Sequence, residues 1–289
     1  FVGKPAALLF STGYLANLAV PGALLDRHGE LFADRLNHAS LVDGARLSGA
    51  VFTRYRHGDL AQLEDRLARS TARTRMIVSD LVFSMDGDCA PVDALLDLAE
   101  RYDAWLYLDD AHGFGVLNDG RGGLTERARA SERVIYLATL GKAAGVSGAA
   151  VAAAQTVINW LVQKARPYVF TTASPPVLAA CLLESLRLIE TDAARRARLQ
   201  AHVARLKAGL AGLRCGAPMA SDTPIQPLLI GDSGEAVRLS EKLLEQGLLV
   251  PAIRPPTVPE GTARLRITVS AAHAAADIDR LLEALHACG

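Results

Sequence analysis

The chain has 289 residues, half of them hydrophobic, and its 31 Lys and Arg balance its 31 Asp and Glu. That apolar content excludes a disordered chain, and zero net charge excludes the electrostatic footprint of a nucleic-acid binder or a polybasic membrane protein. Cys89, Cys181, Cys215 and Cys288 form no CxxC pair, so they read as reduced thiols of a cytosolic protein.

At the start of the chain, Lys4 and Pro5 precede only a short apolar stretch, which does not read as a signal peptide. STGYLAN at 11–17 opens a helix. Gly13 there leaves room for close approach, and the first-turn N–H groups either hold an anion or are simply N-capped. A short strand at 30–34 leads into Asn37-His38-Ala39-Ser40. His38 is either a structural histidine or a flat partner for a pyridine ring. Another strand is predicted at 51–55. The clearest unit follows: a strand at 75–80, a turn with Gly87 and Pro91, a helix at 92–102 and a strand at 105–109. The helix sets Val92, Leu95, Leu96, Ala99 and Tyr102 on one face. The second strand stays apolar until it ends in carboxylates, which suits a parallel strand covered on both faces. Between them, Asp86-Gly87-Asp88 resembles an EF-hand fragment but lacks the later ligands, so calcium is not expected.

Asp109-Asp110-Ala111-His112-Gly113 stands at the carboxyl end of that predicted strand, the edge where open α/β sheets bind ligands. Metal ligands, the acidic partner of a cofactor and a strand end capped in water are all open readings. No HExxH or second ligand group supports a metal. A strand at 134–138 then leads into Thr139-Leu140-Gly141-Lys142. Lys142 is either a surface loop lysine or one desolvated into a nucleophile. The uncharged stretch 143–163 imitates a membrane span but divides into a buried strand at 147–154 and a helix at 155–165. Helical text rich in Ala, Leu and Arg fills 174–212. After it come strands at 224–230, 248–253 and 264–269, with helices at 235–246 and 274–286. The alternation predicts an α/β fold, with a large domain over 1–196 and a small α+β domain over 197–289.

Taken together, an aspartate at one strand end and a lysine one strand further on suggest a pyridoxal phosphate site. The lysine forms the imine, and the carboxylate pairs with the pyridinium nitrogen so that the ring acts as an electron sink. STGYLAN then supplies a phosphate anchor, and Ser84 in the run 82–88 stands where it could reach the phenolic oxygen.

These stretches, in this order, resemble the pyridoxal phosphate-dependent α-oxoamine synthases. The motifs are STGYLAN, LNHASLVDG at 36–44, VFSMDGDCAPV at 82–92, DDAHGFGV at 109–116 and TLGKAAGVSGAAV at 139–151. FTTASPP at 170–176 and AIRPPTVPEGTARLRITVSAAH at 252–273 complete the set. The resemblance implies the type I aminotransferase-like fold, with a mostly parallel central sheet in the large domain, and a cytoplasmic homodimer with active sites at the subunit interface. It implies Lys142 as the Schiff-base lysine, Asp109 at the pyridine nitrogen, His112 and Ser84 near the phenolic oxygen, and His38 stacked on the ring. Gly13, Tyr14 and Thr139 fall near the phosphate, with Thr171 or Thr172 contributed by the other subunit. His112 and His38 are also candidates for moving protons or polarising a thioester.

Arg266 is implied to hold the amino-acid carboxylate, for which a bidentate guanidinium is suited, although an outward-facing strand arginine would read the same. The run AIRPPTVP looks like the branch that joins L-alanine to pimeloyl-CoA or a pimeloyl-carrier protein in biotin biosynthesis. Arg254 within it either meets the distal pimeloyl charge or braces Pro255-Pro256. A glycine- or serine-using synthase, an idle dimerising subunit and a metal hydrolase on Asp109, Asp110 and His112 are the rival readings. Leu81 departs from the family, whose members often have a small residue there, and the family carries an N-terminal arm before the position of Phe1.

Overall fold

Apolar runs too short for helices, and too uninterrupted for a half-wet sheet, build the centre of the first unit. In the computed structural model, which describes residues 1–288, this unit comprises Phe1–Phe83 and Cys89–Thr191. Its strands are β1 (Ala6–Phe10), β2 (Gly29–Asp34), β3 (Val51–Tyr55), β4 (Thr74–Asp80), β5 (Ala104–Asp109), β6 (Val134–Thr139) and β7 (Ala149–Ala153). They form one seven-stranded sheet in the order β1-β7-β6-β5-β4-β2-β3. The pairs from β6 across to β3 are parallel, while β7 runs against both β6 and β1. Only β7 is therefore reversed. The carboxyl ends of the other strands, at Phe10, Asp34, Tyr55, Asp80, Asp109 and Thr139, share one edge of the sheet.

The unit's helices are α1 (Gly13–Leu24), α2 (Ala39–Leu47), α3 (Leu60–Arg69), α4 (Val92–Arg101), α5 (Glu126–Ala130), α6 (Gln155–Lys164), α7 (Arg166–Val169) and α8 (Pro176–Thr191). α1 covers one sheet face, where Val20, Val78, Tyr107, Ile135, Leu137 and Val151 form a continuous core. Pro21 lies inside α1 and, lacking an N–H, leaves the Asn17 carbonyl without its intrahelical donor. α2 crosses at that point, and Gly44 is what permits it: a Cβ there would stand 2.0 Å from the Asn17 oxygen.

The second unit comprises Ser84–Asp88 and the chain from Asp192 onward. It holds α9 (Ala193–Leu210), β8 (Ala217–Pro218), β9 (Ile225–Gly231), α10 (Ser233–Glu245), β10 (Ala252–Ile253), β11 (Ala263–Thr268) and α11 (Ala275–Ala287). Its sheet, in the order β10-β11-β9-β8, is antiparallel throughout.

The α/β class with a mostly parallel central sheet is thus as expected, and most strands begin and end close to their predicted limits. Three differences have physical reasons. The strand predicted at 248–253 shortens to Ala252–Ile253, because Gly247 takes a positive φ and Pro251 has no N–H for a ladder. The helical text of 174–212 breaks at Asp192, which caps α9 by accepting from Arg195 N at 3.0 Å. β1 was not anticipated, since its run AALLF has no alternation to set it apart from any other short apolar stretch. The uncharged stretch 143–163 does divide into β7 and α6, and no helix among the described residues is long and apolar enough to cross a membrane.

Candidate active site

Asp109 closes β5 on the face that carries Tyr107, because side chains alternate along a strand. It is 4% exposed. Its Oδ2 accepts from Asn17 Nδ2 at 2.7 Å and its Oδ1 from the Ala111 N–H at 3.0 Å. Asn17, buried on α1, is itself fixed: Nδ2 also donates to Ser40 Oγ at 2.8 Å, and Oδ1 accepts from the Tyr107 hydroxyl at 2.6 Å. Burial pushes the Asp109 carboxyl above its ordinary range; the Asn17 bond, the Lys142 charge and the Ala111 N–H pull it back without cancelling the rise.

Two strand ends bring the other predicted groups to this carboxylate. After β5, His112 places Nε2 3.0 Å from Lys142 Nζ, which follows β6. When Lys142 is protonated, Nε2 must be the acceptor, which places the imidazole proton on Nδ1. Of the two readings left open for Lys142, the single chain shows an exposed residue, as are Gly141 and Ala143 beside it. Thr139 ends β6, with Oγ1 donating to the Ala111 carbonyl at 3.3 Å. Its Cγ2 would stand 2.7 Å from a Cβ at position 13. Gly13 therefore allows the first turn of α1, capped by Thr12, to close onto the end of β6 with its N–H groups unused by the helix. Tyr14 is exposed, and its hydroxyl donates to Asp43 Oδ2 at 2.7 Å.

His38 is the N-cap of α2, its Nδ1 accepting from Ser40 N at 3.2 Å. Its backbone N–H donates to Asp80 Oδ2 at 2.6 Å. Asp80 ends β4 as Asp109 ends β5 and is 3% exposed. Asn17, Ser40 and Asp80 were not singled out from sequence. Asn17 had a usable signal, an amide in an otherwise apolar helix, and Asp80 had the same signal as Asp109. His57 was missed as well; its Nδ1 lies 3.1 Å from Asp34 Oδ1 at the end of β2, and its ring stands edge-on to Phe83.

The metal reading required Asp109 and Asp110 to converge, and they do not. Asp110 faces the other way, where Oδ2 accepts from the Tyr136 hydroxyl at 2.6 Å and from Gly123 N at 2.8 Å. Burial raises it to about 7. Thr171 and Thr172 are exposed in the stretch after α7, and no hydrogen bond ties them to the Asp109 cluster.

Ser84, Arg254 and Arg266 belong to the second unit. Arg266, on β11, donates from Nε to the Ser84 carbonyl at 2.6 Å and from one terminal nitrogen to Thr268 Oγ1 at 3.0 Å. Next but one on the strand, Arg264 pairs with Asp86 at 2.6 Å, so two arginines hold the segment Ser84–Asp88. Desolvation lowers the Arg266 pKa. Arg254 is exposed, and the turn it begins is closed by its carbonyl, which accepts from Thr257 N at 3.0 Å, rather than by its guanidinium.

The family described as aminotransferase class I and II matches residues 1–285. An 8-amino-7-oxononanoate synthase of Thiobacillus denitrificans is 74% identical over 286 residues, 99% of this chain and 74% of that relative. Among solved structures, SPT with its PLP internal aldimine superposes with a TM-score of 0.93 at 30% identity, over 100% of this chain and 73% of the other. The 8-amino-7-oxononanoate synthase of Francisella tularensis does so with a TM-score of 0.84 at 33% identity, over 99% of this chain and 83% of the other. A match over nearly the whole length, on a sheet edge that assembles Lys142, His112 and Asp109, places the chain in the class I and II aminotransferase family.

Proposed function

We propose that this chain is a pyridoxal phosphate-dependent acyltransferase. It joins L-alanine to the thioester carbon of pimeloyl-CoA or a pimeloyl-carrier protein, giving 8-amino-7-oxononanoate, the free thiol carrier and CO2 in biotin biosynthesis. The observation that carries the reading is the Lys142–His112 contact beside the buried, amide-oriented Asp109 carboxylate, in a chain so close to the named synthase of Thiobacillus denitrificans. The residues present fit the cofactor. Asp109 is an acceptor held ready for a pyridinium, and the junction of Gly13 and Thr139 is a cradle that a Cβ would fill.

Pyridoxal phosphate, when bound, supplies the electron sink that makes the amino-acid Cα acidic. Gly13, Tyr14 and Thr139 hold its phosphate, joined by Thr171 or Thr172 of the partner in a homodimer. Asp109 holds the pyridine nitrogen, Ser84 and His112 the phenolic oxygen, and His38 covers the ring. Lys142 would hold the cofactor through Nζ and, when that amine is free, would be the base placed to take the proton from the alanine Cα. His112, in contact with Nζ, orients that amine and exchanges the proton with it. Arg266 binds the alanine carboxylate, and Arg254 the distal carboxylate of the pimeloyl chain. The homodimer is supported by α8, which has no buried residue although it is largely apolar, with Leu183 71% exposed. The enzyme works in the cytoplasm, consistent with four cysteines that form no disulfide.

A serine-using synthase is the second reading, favoured by the closer backbone superposition of SPT, a serine palmitoyltransferase; the much higher sequence identity to the named 8-amino-7-oxononanoate synthases outweighs it. The deciding measurement is thiol release by the cofactor-loaded protein. L-alanine with pimeloyl-CoA is expected to far outpace L-serine with palmitoyl-CoA and glycine with acetyl-CoA. Release confined to either comparison pair would overturn the biotin assignment.

A further inference from the structure

β4 and β5 run in parallel, with Asp80 and Asp109 as register partners at their carboxyl ends. Neighbours in register point to the same face of a sheet, so the two carboxyl groups lie side by side. Both are almost completely buried, and burial makes two adjacent carboxylates too costly to ionise together. Their hydrogen bonding differs. Asp109 accepts from a side-chain amide and a backbone N–H. Asp80 Oδ2 accepts from the His38 backbone N–H. The loop that carries His38 is held to β4 a second time by Asn37, whose Nδ2 donates to the Val78 carbonyl at 2.9 Å and whose Oδ1 accepts from Asp80 N at 3.1 Å.

The charged and titratable groups that face Asp80 are Asp109 and Tyr107 on β5, Asp34 on β2 and Lys142 after β6, while His38 at the head of α2 meets it through its backbone N–H. Burial and the Asp109 charge drive Asp80 well above the ordinary carboxylate range, against the lesser pull of the His38 N–H and the Lys142 charge.

We propose that Asp80 is a positioning residue of the site: it keeps the proton that the Asp80–Asp109 pair cannot do without, so that Asp109 stays anionic, and it fixes His38 through that residue's backbone. The catalytic consequence rests on the role of Asp109 proposed above. Where the proton sits is a property of the protein alone, so the two can fail separately.

Infrared spectroscopy of the cofactor-free protein tests the proton directly. At pH 7 the wild type is expected to show the carbonyl-stretch band of an un-ionised carboxylic acid that is missing from Asp80→Asn and retained in Asp110→Asn, the control for the other high-pKa carboxyl. A wild-type spectrum whose acid band is unchanged by Asp80→Asn would overturn the proposal, whatever the substrate proves to be. Positioning is tested on the holoenzyme. Asp80→Ala is expected to lose about tenfold or more in kcat with little change in KM for the amino acid, the pattern of lost transition-state organisation. Asp80→Asn keeps an oxygen for the His38 N–H and carries no charge, so it should recover most of that loss and flatten the acid limb of the kcat–pH profile. An asparagine variant as impaired as the alanine variant would overturn the positioning role. The spectra need only folded protein, so they decide the proton's place even if the alanine variant is unstable.

Discussion

Asp109 and Asp110 are neighbours in the chain, alike in side chain and in burial, yet they look out on opposite faces of the same sheet edge. On one face Asp109 meets an oriented amide, with the Lys142 charge near enough to favour its ionised form. On the other, Asp110 meets a tyrosine hydroxyl and a backbone N–H, and the Asp109 charge adds to burial in raising it. The first arrangement prepares an anion for a cation still to come. The second ties the loop after β5 back to β6 and needs no charge at all. The difference teaches that the two-residue period of a strand, more than residue type or depth, decides which of two adjacent aspartates carries chemistry.

That contrast can be broken from either side. Removing the amine is the strongest test: if Lys142 has the role proposed for it, Lys142→Ala should lower kcat by about 10³-fold or more, by removing both the covalent link and the Cα base. Thiol release, with circular dichroism to show an intact fold, would check it. Asp109→Ala should follow with a loss of about 10²-fold or more in kcat, the effect expected of the pyridine partner proposed for it. If Asp110→Ala, stable enough to assay, were to cost as much in kcat as Asp109→Ala, the division between the faces would be wrong.

Much of this edge was legible because chemistry and pattern coincided there. The strand at 105–109 is apolar until it ends in carboxylates, and Lys142 follows another apolar run, so both residues announced a strand end. Which side each aspartate faces depends on whether α1 lies above or below β5, a tertiary fact that neither Asp109 nor Asp110 encodes locally. Asn17 was hidden for the same reason, since its importance comes from a partner 92 positions away. Whether Lys142 is covered was open from sequence, because Gly and Ala beside a lysine lower the bulk around it but do not decide what else stands over it. In the second unit, strand positions for Arg264 and Arg266 were predictable, whereas their hold on Ser84–Asp88 spans 178 positions or more and left no local mark.

A smaller effect sharpens the Asp109 side. Gly13→Ala drives a methyl group into Thr139 Cγ2, with an overpacking cost of about 1–3 kcal/mol. Cofactor affinity should fall by about tenfold if α1 shifts to make room, since the N–H groups of its first turn move with it. Thr139→Ser deletes that methyl and keeps the hydroxyl bonded to the Ala111 carbonyl. The double variant should therefore bind pyridoxal phosphate more tightly than Gly13→Ala alone, as measured by cofactor titration. Additive losses would mean that the two residues do not meet at the phosphate.

The mildest change tests the other face through pH. Asp110 has a folded pKa of about 7 against an ordinary 3.8, so between those values the folded chain holds a proton that the unfolded chain releases. Stability from this group is complete below about pH 4 and is lost as pH rises through 7. Asp110→Asn keeps an oxygen for Tyr136 and Gly123 but cannot ionise. The difference in Tm between wild type and variant should then favour the wild type at pH 5 and shrink or reverse by pH 8, while all other titrations cancel in the subtraction. A pH-independent difference would mean that Asp110 stays charged where it is buried. It would then be no mere tie between loop and strand, and the Arg129 guanidinium, whose charge acts on Tyr136, would be the first place to look for its counter-ion.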